Sequence, residues 1–330
     1  MAIDIEIAAW SSDDVRKGAV HAALEAFVTD LVATHDYDLS RLEAITVTAD
    51  LDRALAEFDD GGLEAGRTLT RTRGSSEGFG MTPVCVRDGS ARCHTFLAPA
   101  AIANLVADSA QSADAHDVAR YIIAHELGHA HDLAQRACYL ERFIIKSPGD
   151  LLTPPVFWQL AEICWNEYAA CHLSCGIYPS ILSAFTEQLF MTLRDFKQSV
   201  RAMIISCKLQ GTSARAFAGA IDSLYPVLKH TSYVLGHLDG LKRSAMPPQI
   251  STALSNAGLA ELSAGLGGVL REMWRTYPAW TEITVYDPLI SFLKRAFRFA
   301  AVDVYEADGQ LKAKLIMNLL PVFLGKDNDT

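Results

Sequence analysis

Two spacings of apolar residues alternate in the first third of the chain. The β-branched alternation of Ala44–Leu51 predicts a strand, whereas the apolar positions of Asp13–Thr34 recur at helical spacing and predict a helix. A hairpin is predicted from strand Pro83–Arg87 to strand Arg92–Leu97, because Asp88-Gly89 between them is a common turn pair. This part of the chain therefore predicts a small sheet accompanied by short helices.

Between these elements, Asp59–Gly80 is rich in glycine, serine and arginine, which is typical of an exposed loop. Further along the chain helical spacing dominates, and near the end "ITVYDP" at 283–288 is strand-like. The alternation that follows predicts a hairpin turning at Asp308-Gly309. Five helices are predicted in this longer part, over Asp114–Gln135, Val156–Ser174, Ser180–Leu209, Ser213–Tyr233 and Ile250–Thr276.

These elements predict an α+β fold that is predominantly helical, with a small N-terminal sheet. We divide the chain into residues 1–112, which hold the sheet, residues 113–178, which hold two helices, and residues 179–330, which are mostly helical. The three regions are equally compatible with one continuous domain, because no low-complexity tract separates them.

The composition is that of a folded protein with a large core, since 50% of the 330 residues are hydrophobic and 21% are charged. The net charge of −10 argues against nucleic acid as a ligand, because binding to phosphates requires a basic face. The start of the chain is acidic and lacks the apolar run of a signal peptide, and no stretch reaches the ~20 apolar residues that span a bilayer. We therefore expect a cytoplasmic protein with no membrane contact, whose seven cysteines are reduced thiols. Its oligomeric state is left open.

Candidate chemistry is concentrated in "AHELGHAHDL" at 124–133, within a predicted helix. His125 and His129 lie one helical turn apart, so both imidazoles project from one face, as two ligands of a tetrahedral Zn²⁺ do. Glu126 follows the first histidine and is a candidate general base that takes a proton from a zinc-activated water. Gly128 weakens the helix locally, which predicts that another element packs closely against it.

A catalytic zinc site needs a third protein ligand, and the best candidate is Glu167. It lies in the middle of the apolar-periodic helix "AEICWNEYAACHLSC", where a carboxylate on the buried side needs a partner. Glu162 is the alternative, although it points elsewhere from the same helix. His131 belongs to another face of its helix and is expected to be exposed, whereas Asp132 either hydrogen-bonds an imidazole N–H or is solvated.

"HELGH" followed by a helix with "WNEYAA" resembles the gluzincin metallopeptidases, whose third ligand is the glutamate of an N-E-x-x-[SA] stretch on the next helix. The resemblance covers roughly residues 80–175 and implies a zincin-like core with zinc ligands His125, His129 and Glu167 and with Glu126 as base. It also implies an antiparallel edge strand to which a peptide adds, and "CHTFLAP" is in the right place for it. One position departs from the family pattern: many gluzincins have an aspartate that orients a zinc histidine where this chain has Cys171.

The reaction that the resemblance implies is the hydrolysis of a peptide bond in a peptide or protein substrate. The group that stabilises the oxyanion is left open: His230, Tyr233 and His237 in "LKHTSYVLGHL" are candidates, and ordinary packing is the alternative for each. Asp132 and Asn166 are candidates for a supporting role around the ligands.

Two other functions are compatible with the same residues. A catalytically silent or latent protein that keeps the zincin scaffold to bind a partner would explain the long helical C-terminal region. A metal-dependent hydrolase of an ester or another amide would use the same site. The intact Glu126 favours an enzyme over a silent scaffold.

Overall fold

The computed structural model describes residues 3–10, 14–62, 78–106, 113–144, 155–210, 213–243, 245–307, 310–319 and 323. Three strands run parallel in the order β1, β2 and β5. On the other side of β5, β3 and β4 both pair with it in the antiparallel direction. The strands of this sheet are β1 (Asp4–Ile7), β2 (Leu42–Val47), β3 (Gly80–Met81), β4 (Val84–Arg87) and β5 (Ser90–Leu97).

Strand β5 lies inside the sheet, with β2 on one side and β3 and β4 on the other. The prediction that "CHTFLAP" forms an edge strand is therefore wrong. Adjacent residues of a strand point to opposite faces, and Phe96 and Leu97 are both buried, so this strand is covered on both faces as central strands are. The antiparallel edge is formed instead by β3 and β4, which precede β5 in the chain.

Helices cover both faces of this sheet. On one face, α1 (Val15–Thr34) and α4 (Ala113–Ile144) share a buried apolar core with the strands, and the short helix α3 (Pro99–Ile102) adds to it. On the other face, α2 (Leu51–Glu57) packs on Phe96, and the Asp50 side chain caps its first turn by accepting from a backbone N–H. The apolar face of α4 is thus packed against the sheet.

The rest of the chain is a helical unit with its own core. Helix α5 lies at its centre and contacts α4, α7, α9 and α10. The largest side chains of this core, among them Phe157, Trp165 and Tyr286, are fully buried. The elements of this unit are α5 (Pro155–Ser174), α6 (Leu182–Gln210), α7 (Ser213–Gly240), α8 (Pro248–Ala257), α9 (Ala260–Thr276), α10 (Asp287–Ala296), β6 (Val302–Ala307) and β7 (Gln310–Leu315).

The C-terminal predictions differ from the structure at two places. The helix predicted over Ile250–Thr276 is broken at Gly258, whose φ of +77° lets it end α8 in the left-handed conformation. "ITVYDP" forms a 3₁₀ turn over Ile283–Tyr286 that runs into α10, so the strand prediction is wrong. Proline in the first turn of α10 favours a helix start here over the β-branched propensity of the segment.

The coarse predictions are confirmed: the fold is α+β, predominantly helical, with a small N-terminal sheet. The C-terminal hairpin is present as β6 and β7, while its predicted turn residues Asp308 and Gly309 lie outside the described residues. Most of the predicted loop Asp59–Gly80, namely residues 63–77, also lies outside them. Over the described ranges, no helix combines the length and the apolar character that a membrane span requires.

Candidate metal centre

Helices α4 and α5 approach each other closely at the level of the candidate ligands. A Cβ atom at Gly128 would lie 3.2 Å from the Cα of Ala170 and 3.4 Å from its Cβ, so only a glycine allows this separation without a shift. The prediction that another element packs against Gly128 is confirmed. The contact brings His129, the next residue of α4, close to α5.

Three side chains from these two helices converge. Nε2 of His125 lies 3.3 Å from Oε2 of Glu167, and Nε2 of His129 lies 3.6 Å from the same oxygen. The three donor atoms all lie within 4.8 Å of one another. The structure thus brings together the three residues that sequence reasoning proposed as ligands.

The carboxylate of Glu167 is buried, with only 12% of its side chain exposed, and its Oε2 accepts no hydrogen bond from the described residues. Burial acts to raise the pKa of Glu167, but Lys229 and the two imidazoles outweigh burial and lower that pKa below its ordinary value. Burial lowers the pKa of His129 to about 3, and the neighbouring His125 acts in the same direction. Burial acts to lower the pKa of His125, but Cys171 and Glu167 outweigh burial and raise that pKa above its ordinary value. Since an ionised carboxylate and neutral imidazoles are the states in which these groups bind a metal, a cation would displace a proton from His125.

Glu126 lies against β3. The Thr82 hydroxyl lies 2.9 Å from Oε2 of Glu126, to which it donates, and a Cβ atom at Gly80 would lie only 2.7 Å from Cγ of Glu126. Burial raises the pKa of Glu126, although His125 and the Thr82 hydroxyl oppose the shift. A carboxylate that is held in place and made more basic suits a general base.

Cys171, the departure from the family pattern, contacts one of the candidate ligands. Its Sγ lies 3.7 Å from Nδ1 of His125, the ring nitrogen that faces away from Glu167. The Tyr121 hydroxyl donates to the same sulfur at 3.5 Å. A thiol thus lies where an orienting carboxylate was expected, and it contacts the ring nitrogen that a carboxylate would have bound.

Asp132 does not contact a histidine in the structure, which corrects one of the two roles considered for it. Its carboxylate pairs with Arg136 at 2.7 Å and accepts from Nε1 of Trp165 at 3.0 Å. The side chain is buried, so the solvated alternative is wrong as well. His131 is half-buried rather than exposed, since its Nδ1 accepts from the backbone N–H of Asp38.

Arg136 is the centre of a buried polar network that joins the two ligand helices. Its guanidinium donates to Glu162 at 3.1 Å and to Oδ1 of Asn166 at 2.8 Å, both on α5, and to the Tyr286 hydroxyl at 2.6 Å. Asn166 and Glu162 therefore stabilise the α4–α5 interface. Glu162, the alternative considered for the third ligand, pairs with Arg136 and is not one of the three side chains that converge. The network lies beside the candidate ligands, since Asn166 directly precedes Glu167, and it holds the two helices in register.

Replacing Arg136 by lysine is expected to lower the free energy of unfolding by about 2 kcal/mol, because lysine keeps the charge but loses the planar fork that reaches four partners. Urea denaturation of the metal-free protein measures this change. Arg194→Lys is the matched control, since Arg194 is exposed and pairs with the exposed Asp195. Equal losses in the two variants would show that the network does not stabilise the fold.

The three oxyanion candidates have different surroundings. Tyr233 lies next to the site: its ring centroid is 5.7 Å from that of His125, and its hydroxyl interacts with Glu167. The imidazole of His230 bonds the Thr192 hydroxyl at 2.7 Å, and His237 donates from Nε2 to the Pro179 carbonyl. Packing therefore accounts for both histidines, and Tyr233 is the one candidate that lies beside the converging side chains.

His230 gives the fold a dependence on pH. Burial, assisted by Lys229, lowers the pKa of His230 to about 4, whereas an unfolded histidine titrates near ~6.5. Its contribution to stability is therefore complete above the unfolded pKa and is lost as the pH falls towards 4. His230→Asn should flatten the decline of the unfolding free energy between pH 6.5 and 4 by up to ~1.4 kcal/mol per pH unit. Urea titrations across this range measure it, and parallel declines would contradict it.

Sequence reasoning missed three residues of the site. Lys229 donates to Oε1 of Glu167 at 3.1 Å, Thr82 holds Glu126, and Gly80 leaves room for that glutamate. One signal existed for the lysine, which lies four residues before Tyr233 and so on the same face of α7. Nothing in the local sequence relates Thr82 or Gly80 to a glutamate more than forty residues later.

Comparison of the chain with protein-family models, with curated proteins and with solved structures found no match. The case for a function therefore depends on the geometry of the chain's own residues.

Proposed function

We propose that the protein is a zinc-dependent metallopeptidase. The observation that carries the proposal is the buried Oε2 of Glu167, which accepts no hydrogen bond within the described structure and faces Nε2 of both His125 and His129. A buried carboxylate oxygen without a hydrogen-bond donor is costly, and a cation bound by all three groups would relieve that cost.

The donor set fits zinc. Two imidazole nitrogens and one carboxylate oxygen are a donor set of catalytic zinc sites, which leave a fourth position for water or substrate. Calcium and magnesium prefer oxygen ligands throughout and fit a pair of imidazoles poorly. Glu167 and His129 are in the states that zinc requires, whereas His125 would release a proton on binding.

Zinc at this site would supply a Lewis acid that activates water and polarises the scissile carbonyl. Glu126 accepts the proton of the attacking water, held for that task by the Thr82 hydroxyl, and passes it to the leaving amine. Tyr233, whose ring lies beside His125, is our candidate for the group that donates to the oxyanion. An oriented and basic Glu126 favours this reading over a silent scaffold that only binds a partner.

A peptide is the favoured substrate because an antiparallel edge lies above the general base. Strand β3 contacts Glu126, and no strand pairs with its outer side among the residues that the structure describes. An extended peptide that added to β3 by main-chain hydrogen bonds would pass next to Glu126. Strand β3, and not the strand that the sequence suggested, is therefore the edge at which we propose that a peptide binds.

The proposal is tested on the wild-type protein by metal analysis and by digestion of a peptide library followed by mass spectrometry. We expect about one Zn²⁺ per chain and cleavage that stops with a chelator and returns with Zn²⁺. A protein that takes up no zinc, or a zinc-loaded protein that cleaves no peptide, would overturn it. Hydrolysis of ester or small amide substrates alone would overturn the peptide assignment.

A further inference from the structure

Lys229 has no role in the reaction described so far, yet its ammonium lies in the middle of the site. Only 13% of its side chain is exposed, and Nζ lies 3.1 Å from Oε1 of Glu167. The aromatic ring of Tyr233 lies 5.7 Å from the same nitrogen. A buried lysine beside the candidate metal ligands is unfavourable for metal binding, because a bound cation and an ammonium repel each other.

The two oxygens of Glu167 face different partners. Oε1 accepts from Lys229, whereas Oε2 faces the two imidazoles and accepts no hydrogen bond from the described residues. The ammonium therefore neutralises the carboxylate from one side and leaves the other side open to a metal. Glu167 is held in the orientation of a ligand before any ion binds.

We propose that Lys229 is a positioning residue that keeps the metal-free site assembled and, by its charge, lowers the affinity of the site for its metal. The inference rests on the proposed zinc site. Lys229 supplies a permanent positive charge beside Glu167. Because this charge stabilises the metal-free site, the protein folds without its metal and exchanges it readily.

Two effects of removing the ammonium have the same sign. Without Lys229, the buried carboxylate of the metal-free protein loses the ammonium that pairs with its Oε1, so this state is destabilised. The metal-bound protein, in contrast, loses the repulsion between a divalent ion and an ammonium, so that state is stabilised. Both changes increase metal affinity. One smaller effect acts against them: without Lys229 the Glu167 side chain is freer to move in the metal-free state, and ordering it on binding costs entropy.

The test uses the full chain, made metal-free by dialysis against a chelator, and measures the Kd for Zn²⁺ by competition with a chromophoric chelator at fixed pH and salt. Lys229→Met and Lys229→Gln should bind Zn²⁺ about tenfold more tightly than wild type. Lys229→Arg keeps the charge and should stay close to wild type. Lys208→Met, a change of an exposed lysine on α6, is the matched control and should have no effect.

Thermal unfolding adds a readout that does not depend on catalysis. The metal-free Lys229→Met protein should melt at a lower temperature than the metal-free wild type, and saturating Zn²⁺ should raise its Tm by more. The glutamine variant can still donate to Oε1 of Glu167, so it keeps the test valid if the methionine variant does not fold.

Two results overturn the inference in distinguishable ways. If wild type binds Zn²⁺ and both neutral variants bind it equally or more weakly, the role of Lys229 is wrong while the metal site stands. If neither wild type nor any variant binds Zn²⁺, the proposed zinc site itself is wrong. The absorption spectrum of the Co²⁺-substituted proteins shows whether the donor set is the same in all of them.

Discussion

Substituting Glu126 by glutamine is expected to lower kcat for peptide hydrolysis by on the order of 10³-fold, while the zinc content remains that of the wild type. The amide has the size of the carboxylate and can still accept from the Thr82 hydroxyl, but it cannot take a proton from water. Initial rates on a peptide found in the library digest, together with metal analysis of the same samples, measure both parts of this prediction.

The control for this change is Glu187→Gln, which removes a carboxylate from the exposed side of α6 and should leave both quantities unchanged. Cleavage by the Glu126→Gln protein at the wild-type rate would show that another group accepts the proton. A loss of zinc along with activity would instead place Glu126 among the metal ligands.

Substituting Glu167 by glutamine is expected to weaken Zn²⁺ binding by more than about 100-fold, because even groups that only orient metal ligands contribute 10–100-fold. The change removes the single negative charge shared by both imidazoles and replaces it with a neutral amide at a buried position. Competition with a chromophoric chelator measures the affinity, and catalysis should be lost at zinc concentrations that saturate the wild type.

Glu162→Gln separates this prediction from a general loss of structure. Glu162 lies five residues earlier on the same helix and pairs with Arg136, so its variant should lose stability but keep its zinc affinity. If Glu162→Gln lost zinc and Glu167→Gln retained it, the choice of third ligand would be reversed.

The sequence predicted correctly those features of the candidate site that follow from the period of a single helix. His125 and His129 meet because a helix places residues four apart on one face, and the apolar periodicity of "AEICWNEYAACHLSC" indicated a second helix with Glu167 on its buried side. The glycine in the first helix predicted a close neighbour, which the contact with Ala170 confirms. These inferences need only helix geometry and the cost of burying a charge.

The sequence was less informative about pairing between distant segments. The family resemblance implied that β5 is an edge strand, although β2 pairs with one side of it and β3 and β4 pair with the other. A bond from a histidine N–H was one of the two roles predicted for Asp132, because both residues lie on one helix. The guanidinium of Arg136, one turn further on, is a stronger partner for a buried carboxylate. Lys229 was missed because its partner lies on another helix.

The separation of α4 and α5 at Gly128 also sets the size of the site. His125 and His129 belong to the first helix and Glu167 to the second, so the gap between the donor atoms changes whenever the two backbones move apart. The methyl group of a Gly128→Ala variant would push the two helices apart. Gly128 directly precedes His129 and lies three residues after His125, so both imidazoles would move away from Glu167. The ionic radius that the proposed site would accept therefore depends on a backbone contact as well as on the candidate ligands.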